Sequence, residues 1–291
     1  MAGARRSNDH NSRSACFAWI APAAAMLVFS VTGCALTRPS NPAASPASAD
    51  SARARQLSAA LAERSREFTS VQADAVMEFR EADQHVKARE QIMARRPADL
   101  RVEAMSPFGL ALVVAVNDSN LQIFDPSSNT LYRGEASAAS LNRFARIPLA
   151  PRPAVNLLMG LAPEGESFDR APDSVSAEGA ILIAAYNGAN GSVTELGFES
   201  AQLALVRERL KGAIDYEVRY SDYRDIGGVQ FAHRIEADFP ASHTHVNFTF
   251  QHAIINGAIA DSLFALKPGP ETKHVDLDHA QISSAVAPAH G

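Results

Sequence analysis

Cysteine is almost absent from this chain: among 291 residues there are two, Cys16 and Cys34. A disulfide framework is therefore excluded, and if Cys16 belongs to a removable leader, no internal bridge is left at all. Positive charge is not in excess either. The formal net charge is −5. The first 33 residues hold Arg5, Arg6 and Arg13 against Asp9 alone, so the remainder is more acidic still. This argues against nucleic acid as the main partner, because phosphate binding needs a basic surface. Catalytic signatures are missing as well: there is no nucleophile elbow, no phosphate loop and no zinc-hydrolase helix motif. The expectation is a binding protein rather than an enzyme, with no cofactor and no metal. Apolar residues at 46% and charged residues at 20% are ordinary for a chain that builds a core.

The apolar run Ala15–Val31 follows the three arginines and is interrupted by Pro22. It falls short of the roughly 20 apolar residues of a spanning helix and reads as the h-region of a signal peptide. It is followed by Val31-Thr32-Gly33-Cys34, which resembles a lipobox, the aliphatic-small-small-cysteine site of the lipoprotein signal peptidase. Small side chains fit the cleavage site, and only a thiol takes the thioether-linked diacylglycerol. Cleavage before Cys34 and lipidation there are expected. Two or more acyl chains then anchor stably, at about 0.8 kcal/mol per buried CH₂. Ala35 stands where an aspartate would signal inner-membrane retention in enterobacteria, so the outer membrane is favoured, with the body facing the periplasm.

Four regions are expected: a leader over 1–33, a lipidated N-terminus and flexible linker over 34–55, a folded body over 56–268 and a tail over 269–291. Thr37–Ala54 is rich in Pro, Ala and Ser and reads as a tether, and Gln56–Glu67 as a short amphipathic helix. From Val71 the period is two, with Val71, Ala73, Ala75, Met77 and Phe79 on one face. His85–Arg95, Leu100–Met105, Gly109–Val116, Leu121–Phe124 and Thr130–Tyr132 continue the strands. Ser137–Phe144 and Ala154–Leu161 read as helices, with Ile147–Pro153 extended between them and Pro163–Glu178 a loop. Strands return at Ile181–Tyr186, Ser192–Phe198, Leu203–Leu210, Ile214–Tyr220, Val229–Phe239 and His245–Gln251. About ten antiparallel strands, each with one wet and one apolar face, must cover the apolar side. A sheet that curls on itself under the central helices does so, giving a mainly β, unclosed half-barrel around an apolar interior with short helices as a lid.

Several side chains admit two readings. Phe108, held between Pro107 and Gly109, is either an exposed wedge or a turn aromatic folded back on the core. Leu112, Val114, Leu157, Leu158, Phe231, Ile235, Phe248 and Phe250 either line a ligand cavity or form a packed core. His243 and His245 lie two apart on one face of a strand, but no ligand set surrounds them, and His85, His233 and His252 have no evident partner in sequence. Lys87, Arg89, Arg95 and Arg96 read as a solvated face, or as a contact for anionic headgroups or a carrier protein.

Ser106-Pro107-Phe108-Gly109, then Ile147-Pro148-Leu149, then Leu157-Leu158-Met159-Gly160-Leu161-Ala162-Pro163, resemble in that order the motifs of the LolB-type outer-membrane lipoprotein receptor. Tyr216–Pro240 resembles the wider LolA/LolB-like superfamily. The resemblance spans roughly Gln56 to Pro268. It implies an open antiparallel half-barrel with a helical lid over an apolar cavity that takes lipoprotein acyl chains from a periplasmic carrier of LolA type. It also implies that Phe108, with Pro107 and Gly109, forms the loop that assists membrane insertion. On the same scaffold an envelope sensor or protein-binding lipoprotein is the alternative, and a histidine-dependent hydrolase a more distant one.

Overall fold

The computed structural model describes residues 46–163, 168, 170–199, 204–212 and 215–278. The leader, the lipobox with Cys34, and Ala35 lie outside these residues.

Alternation of apolar and polar side chains over most of the chain produces strands, and turn residues join neighbours into two long meanders. The first comprises β1 (Ser70–Glu81), β2 (Gln84–Arg95), β3 (Asp99–Ser106), β4 (Gly109–Asn117), β5 (Asn120–Asp125) and β6 (Thr130–Glu135). The second comprises β7 (Ser174–Glu178), β8 (Ile181–Asn187), β9 (Val193–Glu199), β10 (Ala204–Lys211), β11 (Tyr216–Ile226), β12 (Val229–Phe239) and β13 (Thr244–Ile255). The meanders join where β13 pairs antiparallel with β1, placing Met77 opposite Phe248 and Ala75 opposite Phe250. A last strand, β14 (Lys273–Asp276), runs parallel to β6. Among the described residues this makes one sheet in the order β14-β6-β5-β4-β3-β2-β1-β13-β12-β11-β10-β9-β8-β7. Its two edge strands, β14 and β7, do not pair with each other, so the sheet stays unclosed.

The face expected to be apolar is the face that is covered: Val71, Ala73, Ala75, Met77 and Phe79 are all buried. Three helices lie over it. Helix α1 (Pro46–Glu67) packs on β7 and β8, and α3 (Pro151–Leu158) on β2 and β3. Between β6 and α3 comes α2 (Ala138–Ala145). Leu57, Leu61, Leu141, Phe144, Val155 and Leu158 from these helices share one core with the inner face of the sheet. The Tyr220 hydroxyl donates to the Leu161 carbonyl at 2.8 Å and ties the segment after α3 to β11.

The outer face is polar. An ion-pair chain crosses β9 to β13 through Glu195, Arg209, Glu217, Arg219, Asp238 and His245. Burial by itself would raise the Glu217 carboxyl, but Arg209 and Arg219 around it hold it below the usual carboxylate range. These pairs are half-exposed, so each contributes little to stability.

Several boundaries differ from the expectation. Helix α1 begins at Pro46, so residues 46–55 are helical rather than part of a tether; they are rich in Ala and Arg, good helix formers, and Pro is tolerated in the first turn. Pro151 and Pro153 open α3 instead of standing in an extended segment, for the same reason: N–H groups of the first turn have no intrahelical acceptor to lose. The expected loop 163–178 contributes edge strand β7, and the expected tail contributes β14. Both are short edge strands without strong alternation, so their assignment depends on a partner. His243 is not on the strand with His245; it takes a left-handed conformation (φ 52°) at the end of the turn Pro240–Ser242.

Helix α2 is held at its start by a reciprocal cap. The Ser140 N–H donates to the Ser137 hydroxyl at 3.2 Å, and the Ser137 N–H to the Ser140 hydroxyl at 2.8 Å. Ser137→Ala is expected to cost about 1 kcal/mol of local stability. Hydrogen exchange should detect it as a several-fold faster exchange of α2 amides, with β1 and β13 unchanged.

Candidate functional site

Three parts of the half-barrel carry features that packing alone does not require: a hairpin tip at one end, an open cleft at the other, and a carboxyl in the hollow between.

The tip is the β3–β4 turn. Ser106 pairs with Gly109, leaving Pro107 and Phe108 as the two central residues. Pro107 pre-sets its own φ, and Gly109 takes φ 117°, a conformation only glycine adopts without strain. The Ser106 hydroxyl locks the turn, accepting from the Phe108 N–H at 3.2 Å and donating to the Gly109 carbonyl at 3.1 Å. The Phe108 side chain is thereby held in solvent at 98% exposure. Behind it, Met105 and Leu110 form a cross-strand pair, and both are exposed. Phe108, Met105 and Leu110 together make an exposed apolar patch at the end of the hairpin. The ring points into solvent rather than folding back on the core.

The eight side chains considered for a cavity come together in the hollow. Val114, Leu157, Leu158, Phe231, Ile235, Phe248 and Phe250 are buried, and Leu112 is half-buried against them. They are closely packed: Phe231 stands edge-on to Phe250 at 5.1 Å, and Phe248 stacks on Phe250 at 6.3 Å. The gap between Ile147, Leu157, Phe239 and Phe248 is too small to admit water. Arg146 covers the neighbouring Phe79 ring at 4.9 Å.

Open space lies at the other end. A cleft of about 510 Å³ is bounded by Ala60, Leu61 and Glu67 of α1 and by Phe198, Leu205, Tyr223 and Val229 of the sheet. Its volume falls within the roughly 300–1,000 Å³ of small-molecule sites. The β11–β12 turn Gly227-Gly228 is beside it, whereas Phe108 shares its end of the sheet with the β1–β2 and β12–β13 turns. The cleft's wall is drawn from α1 and from the successive strands β9 to β12, more than 130 residues further along the chain, so no local pattern announces it.

The carboxyl is Glu90 on β2. It sits between Ala75 of β1 and Ala104 of β3, on the same parity as the buried Ile92 and Ala94. Only 6% of it is exposed. Burial pushes its pKa up to about 8. That parity, Val86-Ala88-Glu90-Ile92-Ala94, was the signal available in sequence.

The histidines and the basic stretch are occupied or exposed. The His245 Nδ1 pairs with Asp238 at 2.7 Å, and His233 is buried with its ring on Phe231. Lys87 pairs with Glu78, Arg95 with Asp99 and Asp261, and Arg96 donates to the Ser65 carbonyl. Arg89 faces solvent.

Neither a family model nor a curated protein matches the sequence. Among solved structures, a DUF1329 family protein from Desulfovibrio piger superposes with a TM-score of 0.52 at 12% identity, over 74% of this chain and 97% of that one. The two share a fold. A LolA superfamily protein from Nitrosomonas europaea (TM-score 0.47, 13% identity, 71% of this chain and 96% of that one) is also matched. So is an outer membrane lipoprotein-sorting protein domain from Vibrio parahaemolyticus (TM-score 0.46, 6% identity, 74% and 97%). At such identities the likeness is one of architecture. The unclosed sheet with helices over its concave face is the mainly β half-barrel with a helical cover expected from the sequence. No described helix of the half-barrel is long and apolar enough to cross a membrane.

Proposed function

We propose that this half-barrel is an envelope lipoprotein that holds acyl chains beneath its helices and delivers them to a membrane entered by Phe108. The observation that carries the reading is the tip: a phenylalanine at 98% exposure on a turn locked by Pro107, Gly109 and the Ser106 hydroxyl. The cleft under α1 supports it by offering an apolar entrance of sufficient volume. The packed hollow is then the closed arrangement. Leu157 and Leu158 on α3 occupy the space that hydrocarbon takes when the helices withdraw, so one apolar filling replaces another. That exchange costs little, whereas exposing two or three acyl chains to water costs tens of kcal/mol. No chemistry is needed. Anchoring through Cys34, an outer-membrane location, lipoproteins as cargo and a periplasmic carrier of LolA type complete the reading.

Native mass spectrometry of a chain beginning at Ala35, which bears no thiol to be acylated, tests it. The expected spectrum shows bound lipid, displaced when Ala204→Trp narrows the cleft. Protein free of lipid in both forms, and unable to take up added diacylglycerol, sinks the reading.

A further inference from the structure

Glu90 is not explained by packing. A side chain with 6% exposure, on the inner face of the central part of the sheet, is a position for Leu or Ile. The carboxyl has no hydrogen-bond or ion-pair partner among the described residues, unlike buried Glu208, which accepts from the Tyr216 hydroxyl at 2.8 Å. Its cross-strand neighbours are the two small residues Ala75 and Ala104, which leave its head uncrowded on the inner face. The elements packed on β2 supply no counter-charge. The inner faces of β1 and β3 present Ala73, Ala75, Met77, Val102, Ala104 and Ser106, none of them titratable. On α3 the only charged residue is Arg152, which is exposed, and Arg146 before α3 lies over the Phe79 ring. Burial is the sole cause of the raised Glu90 pKa, so the group is a neutral acid near pH 7, with an O–H to donate and no acceptor among the described residues.

Its place in the fold points to what accepts. Ala104, directly opposite Glu90, is two residues before the end of β3 at Ser106, about 7 Å along the strand at 3.3 Å per residue, with the turn that carries Phe108 next. Half-buried Ala88, Val86 and Leu112 line the way in from that end. A lipid entering or leaving past Phe108 has its hydrocarbon deeper and its carbonyls near this depth.

Resting on the acyl-binding reading above, we infer that Glu90 is a specificity-determining contact that donates a hydrogen bond to the ester or amide carbonyl of a bound acyl chain. The carboxyl distinguishes acylglycerol and acyl-amine cargo from plain hydrocarbon.

The test uses the chain from Ala35 and two uncharged fluorescent probes, a labelled diacylglycerol and a labelled alkane without carbonyls, titrated from pH 6 to pH 9.5. Wild-type protein should bind both at pH 6.5 and lose preference for the diacylglycerol above pH about 8. Glu90→Leu should bind the alkane unchanged and the diacylglycerol about tenfold more weakly, the loss of one hydrogen bond. Glu90→Gln, whose amide still donates, should keep the preference and lose its pH dependence. If Glu90→Leu discriminates the probes as wild type does, or if ionisation tightens diacylglycerol binding, the contact is overturned while acyl binding stands. A wild-type protein that binds neither probe removes both.

Discussion

Glu90→Met should make the protein more stable at pH 7, and the gain should depend on pH. The Glu90 pKa is about 8 in the folded protein against 4.5 for an unhindered carboxyl. Below 4.5 both folded and unfolded chains hold the proton, and the carboxyl contributes no pH-dependent penalty. As pH rises through 4.5 the unfolded chain ionises while the folded one stays protonated, so wild-type stability falls, levelling off only above about 8. At 1.36 kcal/mol per pH unit, the penalty at pH 7 is about 3 kcal/mol. Methionine fills a similar volume and carries no charge to neutralise. The difference in unfolding free energy between Glu90→Met and wild type should therefore grow by about 3 kcal/mol from pH 4 to pH 7. All other titrating groups, including Glu217 and its arginines, are common to both proteins and cancel. Guanidinium unfolding at the two pH values measures it; an equal difference at both would mean that the carboxyl is solvated in the folded state. A buried carboxyl that costs this much stability fits a binding contact, since sites that bind are where local stability is given up.

Phe108→Glu should do the opposite: leave stability alone and strongly weaken membrane contact. At 98% exposure the side chain makes almost no contacts within the protein, so the unfolding midpoint should move by less than about 0.5 kcal/mol equivalent. Losing a phenylalanine from hydrocarbon costs about 2–3 kcal/mol, roughly a thirty- to hundredfold drop in vesicle binding. Phe108→Leu should keep most of the binding. Co-sedimentation of the chain from Ala35 with phospholipid vesicles reads all three proteins. Equal binding by wild type and Phe108→Glu would remove the membrane role of the tip and leave the cleft to be explained alone.

The two residues differ in how far the sequence foretold them. Phe108 was legible because its surroundings are local: proline before it and glycine after it make a tight turn, and a turn between two strands projects outward. What projection left open was whether the ring folds back, and its 98% exposure shows that it does not. Glu90 was half legible. Its parity with Ile92 and Ala94 put it on the apolar face, yet a glutamate in a basic-rich strand also reads as a solvated side chain. The cleft was not legible at all, since its walls come from α1 and from strands of the second meander.

The period-two alternation from Val71 to Phe250, the capping serine before α2 and the Pro-Phe-Gly turn are short-range patterns. They determine which way each side chain faces, because strand and turn geometry act over two to four residues. Coverage is a long-range matter. The helices docked over the inner face of the sheet, the pairing of β13 with β1 brought the two meanders into one hollow, and β14 became a strand only by finding β6. Those outcomes depend on surfaces brought together from distant parts of the chain. The tertiary structure alone therefore decided that the hollow is packed, that the cleft is open and that one carboxyl is buried on the inner face.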